Sequence, residues 1–414
     1  MSKLLAWAES LWTGAVATDH GSILTGGIGT PITEVAPGVA FLANFANVIA
    51  VDGGAELGLI DTGSPLTAQR VFDEVGRWRA APVVAAIYTH GHIDHAMGIG
   101  PFDAAAVAAG RPRPRVYAHE AVAARFDRYR LTAGWNGAIN RRQFRMPGLA
   151  WPTEYRYPDV TYRGQWKLAI GEQKVELHHA LGETDDHTWT WLPGPRVLCT
   201  GDLFIWAAPN CGNPQKVQRY VREWADALDA MRALAPAVLL PGHGPPIVGE
   251  ARVAQALGET ATLLRTLHDQ TVAAMNQGLT LDEVIAAVTV PRELLERPYL
   301  RPVYDDPVFI IRNVWRRYGG WWDGNPAHLL PPRERALAAE VTHLAGGAAA
   351  LAARAEAVAE ADLALACQLA EWAAAAAPDD AGVRAIRAAL YKRRADGQPS
   401  LMAKSIFTAA SEGR

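Results

Sequence analysis

The sequence predicts a layered α+β part reaching to about residue 250 and an all-helical part beyond it. Three features carry that expectation. Short apolar runs separated by Asp, Gly and Pro turns fill the first part. Helical spacing with no strand signal begins at Glu250. Alanine, a strong helix former with little side chain to bury, dominates the last stretch.

Val39 to Leu42, Val48 to Val51 and Leu57 to Ile60 read as a meander, with turns at Asp52-Gly53-Gly54 and Asp61-Thr62-Gly63. Val83 to Tyr88 and Val116 to His119 are further strands. So are Val175 to Leu177, Thr188 to Leu192, Val197 to Thr200 and Ala237 to Leu240. Helices are expected at Thr67 to Trp78, after the turn residues Ser64-Pro65, and at the amphipathic Val217 to Leu234. Strands interrupted by occasional helices suggest sheets covered by helices.

Beyond Gly249 the expected helices are Glu250 to Asn276, Leu281 to Val288, Val308 to Tyr318, Arg333 to Leu344, Ala348 to Ala376 and Ala381 to Arg394. Helices with thin, small-residue faces need a partner surface, so an assembly region is expected ahead of a solvated tail. No internal repeat is visible.

Composition narrows the function. The 414 residues are 50% hydrophobic and 20% charged, which excludes wholesale disorder. A net charge of -3 gives no basic face for nucleic acid. Three scattered cysteines make no disulfide framework, and Cys199 reads as a buried thiol. Met1 to Trp12 has no export-signal pattern, and no segment offers the roughly 20 apolar residues of a membrane span. A cytoplasmic enzyme is the expectation.

The run Thr89-His90-Gly91-His92-Ile93-Asp94-His95 leaves the strand Val83 to Tyr88 directly. Neutral imidazoles and carboxylates suit a zinc ion, and four such residues in one short loop are demanding. The competing reading is a solvated histidine-rich turn. Three later segments weigh against it: Gly182-Glu183-Thr184-Asp185-Asp186-His187, Gly201-Asp202 and Gly242-His243-Gly244. Each follows an apolar strand, where one rim of a sheet would gather them. Any one alone is an ordinary turn.

With the Asp61-Thr62-Gly63 turn, this order resembles the metallo-β-lactamase superfamily over roughly residues 35 to 250. The resemblance implies an αββα sandwich and a binuclear zinc site. His90, His92 and Glu183 would hold the first zinc ion, and Asp94, His95 and His243 the second. Asp202 would bridge the two ions, and Asp61 would orient a histidine ligand. Asp94 and Asp202 are the expected catalytic carboxylates. His187 is expected beside the ligands or the substrate rather than on a metal.

Glutamate at position 183, where the superfamily usually has histidine, resembles the alkyl sulfatase branch. Leu267-His268-Asp269-Gln270-Thr271 and Tyr318 to Ala327 resemble that branch's dimerisation domain. The implied division is a catalytic domain over 1–255 and a helical dimerisation domain over 256–414, without the branch's lipid-carrier-like C-terminal domain. Other positions depart from it. Asp202 stands where those sulfatases bridge with glutamate, Val303 to Phe309 lacks their histidine-bearing stretch, and their sulfate-holding arginine is replaced near Asn210 to Pro214.

Asn136 to Arg142 resembles the sulfatases' substrate loop, so Asn136, Arg141 and Arg142 are candidate substrate contacts, against an ordinary surface arginine pair. Tyr129 and Trp135 are candidate pocket walls. Asp186 is expected to be a loop carboxylate; His178, His179 and His119 are expected to be structural or incidental.

The expected activity is zinc-dependent hydrolysis by a metal-bound hydroxide, on an organosulfate ester or on a lactone, thioester, β-lactam or phosphoester. The substrate is expected to be a small molecule, possibly anionic, and the assembly a homodimer. A non-catalytic dimeric interaction module is the reading from another class. No Gly-x-Ser-x-Gly elbow competes for the chemistry.

Overall fold

The computed structural model describes residues 1–413. Seven strands form the first sheet in sequence order: β1 (Thr33–Ala36), β2 (Val39–Leu42), β3 (Val48–Asp52), β4 (Leu57–Ile60), β5 (Val83–Ile87), β6 (Arg115–His119) and β7 (Val160–Tyr162). Six form the second: β8 (Gln165–Ile170), β9 (Gln173–Ala180), β10 (His187–Leu192), β11 (Val197–Ile205), β12 (Val238–His243) and β13 (Ile247–Val248). Hairpins make β1 to β4 antiparallel, whereas helical crossovers make β4, β5 and β6 parallel.

The strand sequences show why the sheets stack. Along β2 and β3, Val39, Phe41, Ile49 and Val51 point toward the second sheet's Leu177, Leu192, Cys199 and Leu240. Ala40, Leu42, Val48 and Ala50 point the other way, onto helix residues Val71, Val75, Phe102 and Phe126. Strands covered on both faces read as continuous apolar runs. The outer face of the second sheet is covered by the helices Val221–Ala233 and Glu250–Asn276, through Leu228, Met231, Leu257 and Leu264. Helix, sheet, sheet, helix: this is the expected sandwich.

Helix Glu250–Asn276 has the predicted bounds, but it packs on Val221–Ala233 and on β12 and β13. The expected division after residue 255 therefore falls inside a helix of the sandwich. The all-helical region begins after it, with Leu281–Ala287, and runs to Leu401–Ser411. The stretch Ala348 to Ala376, expected as one helix, is two: Ala348–Val358 and Leu363–Ala376. Asp362 breaks it, its carboxylate accepting from Leu365 N at 2.9 Å as an N-cap. Here Ala355, Ala366 and Ala370 pack with Cys367 and Leu390, so alanine serves close helix approach. Among the described residues no single helix is long and apolar enough to cross a membrane.

Leu264 is fully buried between the second sheet's helices. Leu264→Ala should cost about 2–5 kcal/mol in denaturant unfolding, through lost transfer energy plus a residual cavity.

Candidate metal centre

All seven expected ligands converge at one rim of the sandwich. His90, His92, Asp94 and His95 lie just past the end of β5, Glu183 lies between β9 and β10, Asp202 is in β11, and His243 ends β12. Parallel pairing of β11 with β12 sets Gly201 opposite Pro241. The approach is so close that a Cβ on Gly242 would fall 2.0 Å from Asp202 Oδ1, which explains the glycine before His243.

Two donor groups result: His90, His92, Glu183 and Asp202, and Asp94, His95 and His243, with the ligand atoms of each within 4.8 Å of one another. Glu183 Oε2 stands 3.8 Å from His90 Nε2 and 3.7 Å from His92 Nδ1. Asp94 Oδ2 stands 3.7 Å from His95 Nε2 and 3.6 Å from His243 Nε2. Donors held tetrahedrally at 2.0–2.2 Å from one ion would be about 3.3–3.6 Å apart, close to these spacings. Asp202 joins both groups, its carboxylate 3.9 Å from His90, 3.3 Å from His95 and 3.5 Å from His243.

The donors fit divalent cations. His95 Nε2, Glu183 Oε2 and Asp202 Oδ1 are buried without a hydrogen-bond partner, an expensive state that a cation would relieve. Burial, together with neighbouring cationic groups, holds His90 and His92 well below the usual imidazole range, leaving the neutral form that ligates. His95 and His243 are also disfavoured as cations by burial, but Asp202 overrides this and holds both above that range. Burial pushes Glu183 up to about 7 against the pull of Arg219. Among the ligands, three carboxylates thus share one rim, and two dications would offset their charge.

Above the rim lies a cavity of about 450 Å³. Its walls are mostly apolar, including Ile23, Leu24, Phe45, Phe144, Leu149 and Trp151, with Asp94, Glu183, Asp202 and His243 at one end. Tyr129 lines it as expected; Trp135 is 65% exposed and does not.

The proposed substrate contacts need correction. On helix Ala133–Phe144 it is Asn140, Gln143 and Phe144 that face the cavity. Arg141 and Arg142 lie on the other side, lining a separate depression with Arg145 and Ser405. Arg141 donates to Leu149 O at 3.0 Å and Arg142 to Gln215 Oε1 at 3.0 Å. Asn136 is buried and donates to Thr132 O at 3.1 Å. Helical periodicity puts residues one apart on different faces, so a motif read linearly chose the wrong side.

The polar cavity residues Asn210, Lys216, Arg219 and Tyr304 are among those that the sequence reading did not single out. Arg219 pairs with Glu183 Oε1 at 2.6 Å and donates to Glu183 O at 3.1 Å. Asn210 Nδ2 donates to the same carboxylate at 2.5 Å. No spacing rule marks these positions; only the fold brings them in.

Residues 42–243 match the metallo-beta-lactamase superfamily, and residues 280–413 match the alkyl sulfatase dimerisation family. The chain joins these two domains. It is 29% identical over 364 residues to a linear primary-alkylsulfatase of Pseudomonas sp., covering 81% of this chain and 67% of that one. An (R)-specific secondary-alkylsulfatase of Pseudomonas sp. is also 29% identical, over 83% of this chain and 56% of the relative. The solved stereoselective inverting sec-alkylsulfatase Pisa1 from Pseudomonas sp. is 25% identical with a TM-score of 0.83, over 93% of this chain and 66% of that one. The chain thus spans between half and two thirds of the length of the relatives it matches.

Within the metallo-beta-lactamase domain, buried polar groups fix the donors. Asp61, with φ 57, turns its carboxylate inward: Thr89 N and Thr89 Oγ1 each donate to it at 2.8 Å, and His95 Nδ1 lies 2.7 Å from Oδ2. His187 stacks on His90, with centroids 4.5 Å apart, and its Nε2 lies 3.2 Å from Thr200 O, so it supports a ligand from outside the cavity. Asp186, expected as a loop carboxylate, is fully buried instead. It accepts from Gly91 N at 3.0 Å and from Arg125 Nε at 2.7 Å, holding the histidine loop by its backbone. His119 and His179 stack on each other at 3.7 Å, and His178 on Trp189 at 4.0 Å, outside both donor groups.

Removing Asp61 as Asp61→Asn should lower metal affinity about 10–100-fold in chelator competition, because His95 loses the group that orients its ring. Arg125→Met should cost about 3–5 kcal/mol in thermal unfolding, since it leaves the Asp186 charge buried and uncompensated.

Proposed function

We propose that this chain is a binuclear zinc hydrolase that cleaves an organosulfate ester carrying an apolar organic portion. The observation behind this reading is the placement of both donor groups at the floor of a mostly apolar cavity. The kinship with alkylsulfatases supports it.

Two zinc ions held by His90, His92 and Glu183, and by Asp94, His95 and His243, with Asp202 shared, would supply Lewis acidity at neutral pH. The protein supplies position. Phe45, Phe144, Leu149 and Trp151 exclude water and take the apolar portion of the substrate. Asp94, its side chain 21% exposed, faces the cavity with a carboxylate that can accept a proton from the attacking water. Asp202 is held well below the usual carboxylate range: burial opposes ionisation, but His243 and His95 outweigh it.

The test is a substrate panel on the zinc-loaded protein: an alkyl sulfate, a lactone, a thioester, a β-lactam and a phosphate monoester. Sulfate release is expected, lowered about 10²-fold or more by Asp94→Asn. Hydrolysis of another bond without sulfate release would overturn the reading.

We also propose that the helical region pairs two copies of the chain. Its match to the alkyl sulfatase dimerisation family supports this, and Trp321, Leu330 and Leu344 are large apolar side chains exposed there at 68%, 91% and 77%. Light scattering at micromolar concentration should give twice the 44.6 kDa chain mass; a monomer would refute it.

A further inference from the structure

Asp202 is shared between the donor groups, so Glu183 is the carboxylate that belongs to the first group alone. Its Oε2 stands 3.8 Å from His90 Nε2 and 3.7 Å from His92 Nδ1. Its Oε1 is held from two sides, by the Arg219 guanidinium at 2.6 Å and by Asn210 Nδ2 at 2.5 Å. A carboxylate fixed at one oxygen presents the other in a set direction. The aim of this ligand is therefore decided by where Asn210 and Arg219 stand.

Both stand on the segment between β11 and the helix Val221–Ala233, which has neither helix nor strand. Backbone groups of such a segment need partners outside it. Several are supplied by the helical region. Ala208 N donates to Arg301 O at 2.9 Å, and Gly212 N donates to Asp305 Oδ2 at 3.1 Å. Asn313 Nδ2 donates to Arg219 O at 3.0 Å, while its Oδ1 accepts from Gln218 Nε2 at 2.9 Å. The approach is tight: a Cβ on Gly212 would fall 2.0 Å from the backbone carbonyl carbon of Phe309. Burial pushes Asp305 up to about 7, against the pull of Gly212 N and Arg219. Burial also disfavours the Arg219 cation, but Glu183 and then Asp305 outweigh it and hold it above its ordinary range.

We propose that Asp305 and Asn313 are positioning residues for the first metal-binding group. They fix the segment that carries Asn210 and Arg219, and through those two side chains they aim Glu183. Docking of the helical region then sets the affinity of one metal ion and not of the other. The second group is oriented from within the sandwich, His95 by Asp61 and His243 by Phe45 O. This rests on the binuclear reading, but not on which bond is cleaved.

The test reads metal binding rather than turnover. The metal-free full chain is titrated with cobalt(II), followed by visible absorption, and chelator competition gives an affinity for each ion. Glu183→Gln marks which of the two signals belongs to the first group. Asp305→Ala and Asn313→Ala should each weaken that ion about tenfold or more and the other less than about twofold. Asp305→Asn, whose amide oxygen can still accept from Gly212 N, should restore most of the affinity. Leu264→Ala, destabilised at a site far along the sandwich helices, should leave both affinities unchanged. Where Asp305→Ala fails to fold, Asn313→Ala alone decides. Equal weakening of both ions, unchanged affinity in Asn313→Ala, or the same selective loss in Leu264→Ala would overturn the proposal. Fewer than two ions bound by the wild type would overturn it together with the binuclear reading. Selective loss in a chain that releases no sulfate from alkyl sulfates would instead sink the organosulfate reading and leave this one standing.

Discussion

Buried negative charge is the constraint on which this molecule is organised. Asp61, Glu183, Asp186 and Asp202 all lie within a few residues of one rim, each almost fully removed from water. An isolated carboxylate in such a place is untenable, so each must have its own compensation. Asp61 has Thr89 and His95, Asp186 has Arg125 and Gly91 N, and Glu183 has Arg219 and Asn210. Asp202 has imidazoles on two sides, His95 Nε2 at 3.3 Å from Oδ1 and His243 Nε2 at 3.5 Å from Oδ2. The side chains around the rim are therefore a consequence of the carboxylates needed to attract cations.

The same constraint ties the two sheets together. Asn47, in the turn after β2, donates to Pro241 O at 3.0 Å and to Gly244 O at 2.8 Å, bracketing His243. Asn47 N donates to Gly242 O at 2.8 Å, and the His243 ring turns Nδ1 to Phe45 O. A ligand carried by the second sheet is thus aimed by the first. On the other side Thr188 N donates to Thr89 O at 2.6 Å, joining β10 to the start of the histidine loop. The rim is rigid because both sheets contribute to it.

This explains what was legible in the sequence. The strands of the meander were readable because turn residues bracket runs apolar on both faces, and β2 and β4 have the predicted bounds. The metal ligands were readable because they combine rare residue types with fixed positions after strands. Lys216, Arg219 and Asn210 were not, because they lie on an irregular segment whose path is set by tertiary contacts such as Asn313 Nδ2 donating to Arg219 O at 3.0 Å. Arg141 and Arg142 misled because a short motif does not say which face of its helix is wet. The C-terminal helix Leu401–Ser411 was overlooked because Gly397-Gln398-Pro399 breaks the alanine-rich pattern before it.

That last helix changes how the dimerisation domain is understood. Val303 and Tyr304, in the domain's own sequence, line the cavity of the metallo-beta-lactamase domain. They are held there by the start of the helix: Leu401 N donates to Val303 O at 3.0 Å, and Ser400 Oγ to Tyr304 O at 3.1 Å. Gln143, from the cavity-facing helix of the other domain, donates to Tyr304 Oη at 2.9 Å. Arg145 and Glu412 pair at 2.9 Å across the same seam. A region whose family name describes assembly thus also walls the cavity, and its last helix holds that wall in place. Because Val303 and Tyr304 reach the cavity from the middle of the helical region, the cavity cannot be shaped by the sandwich alone. The shape of the cavity and the packing of the helical region are one structural problem, solved by the same few hydrogen bonds.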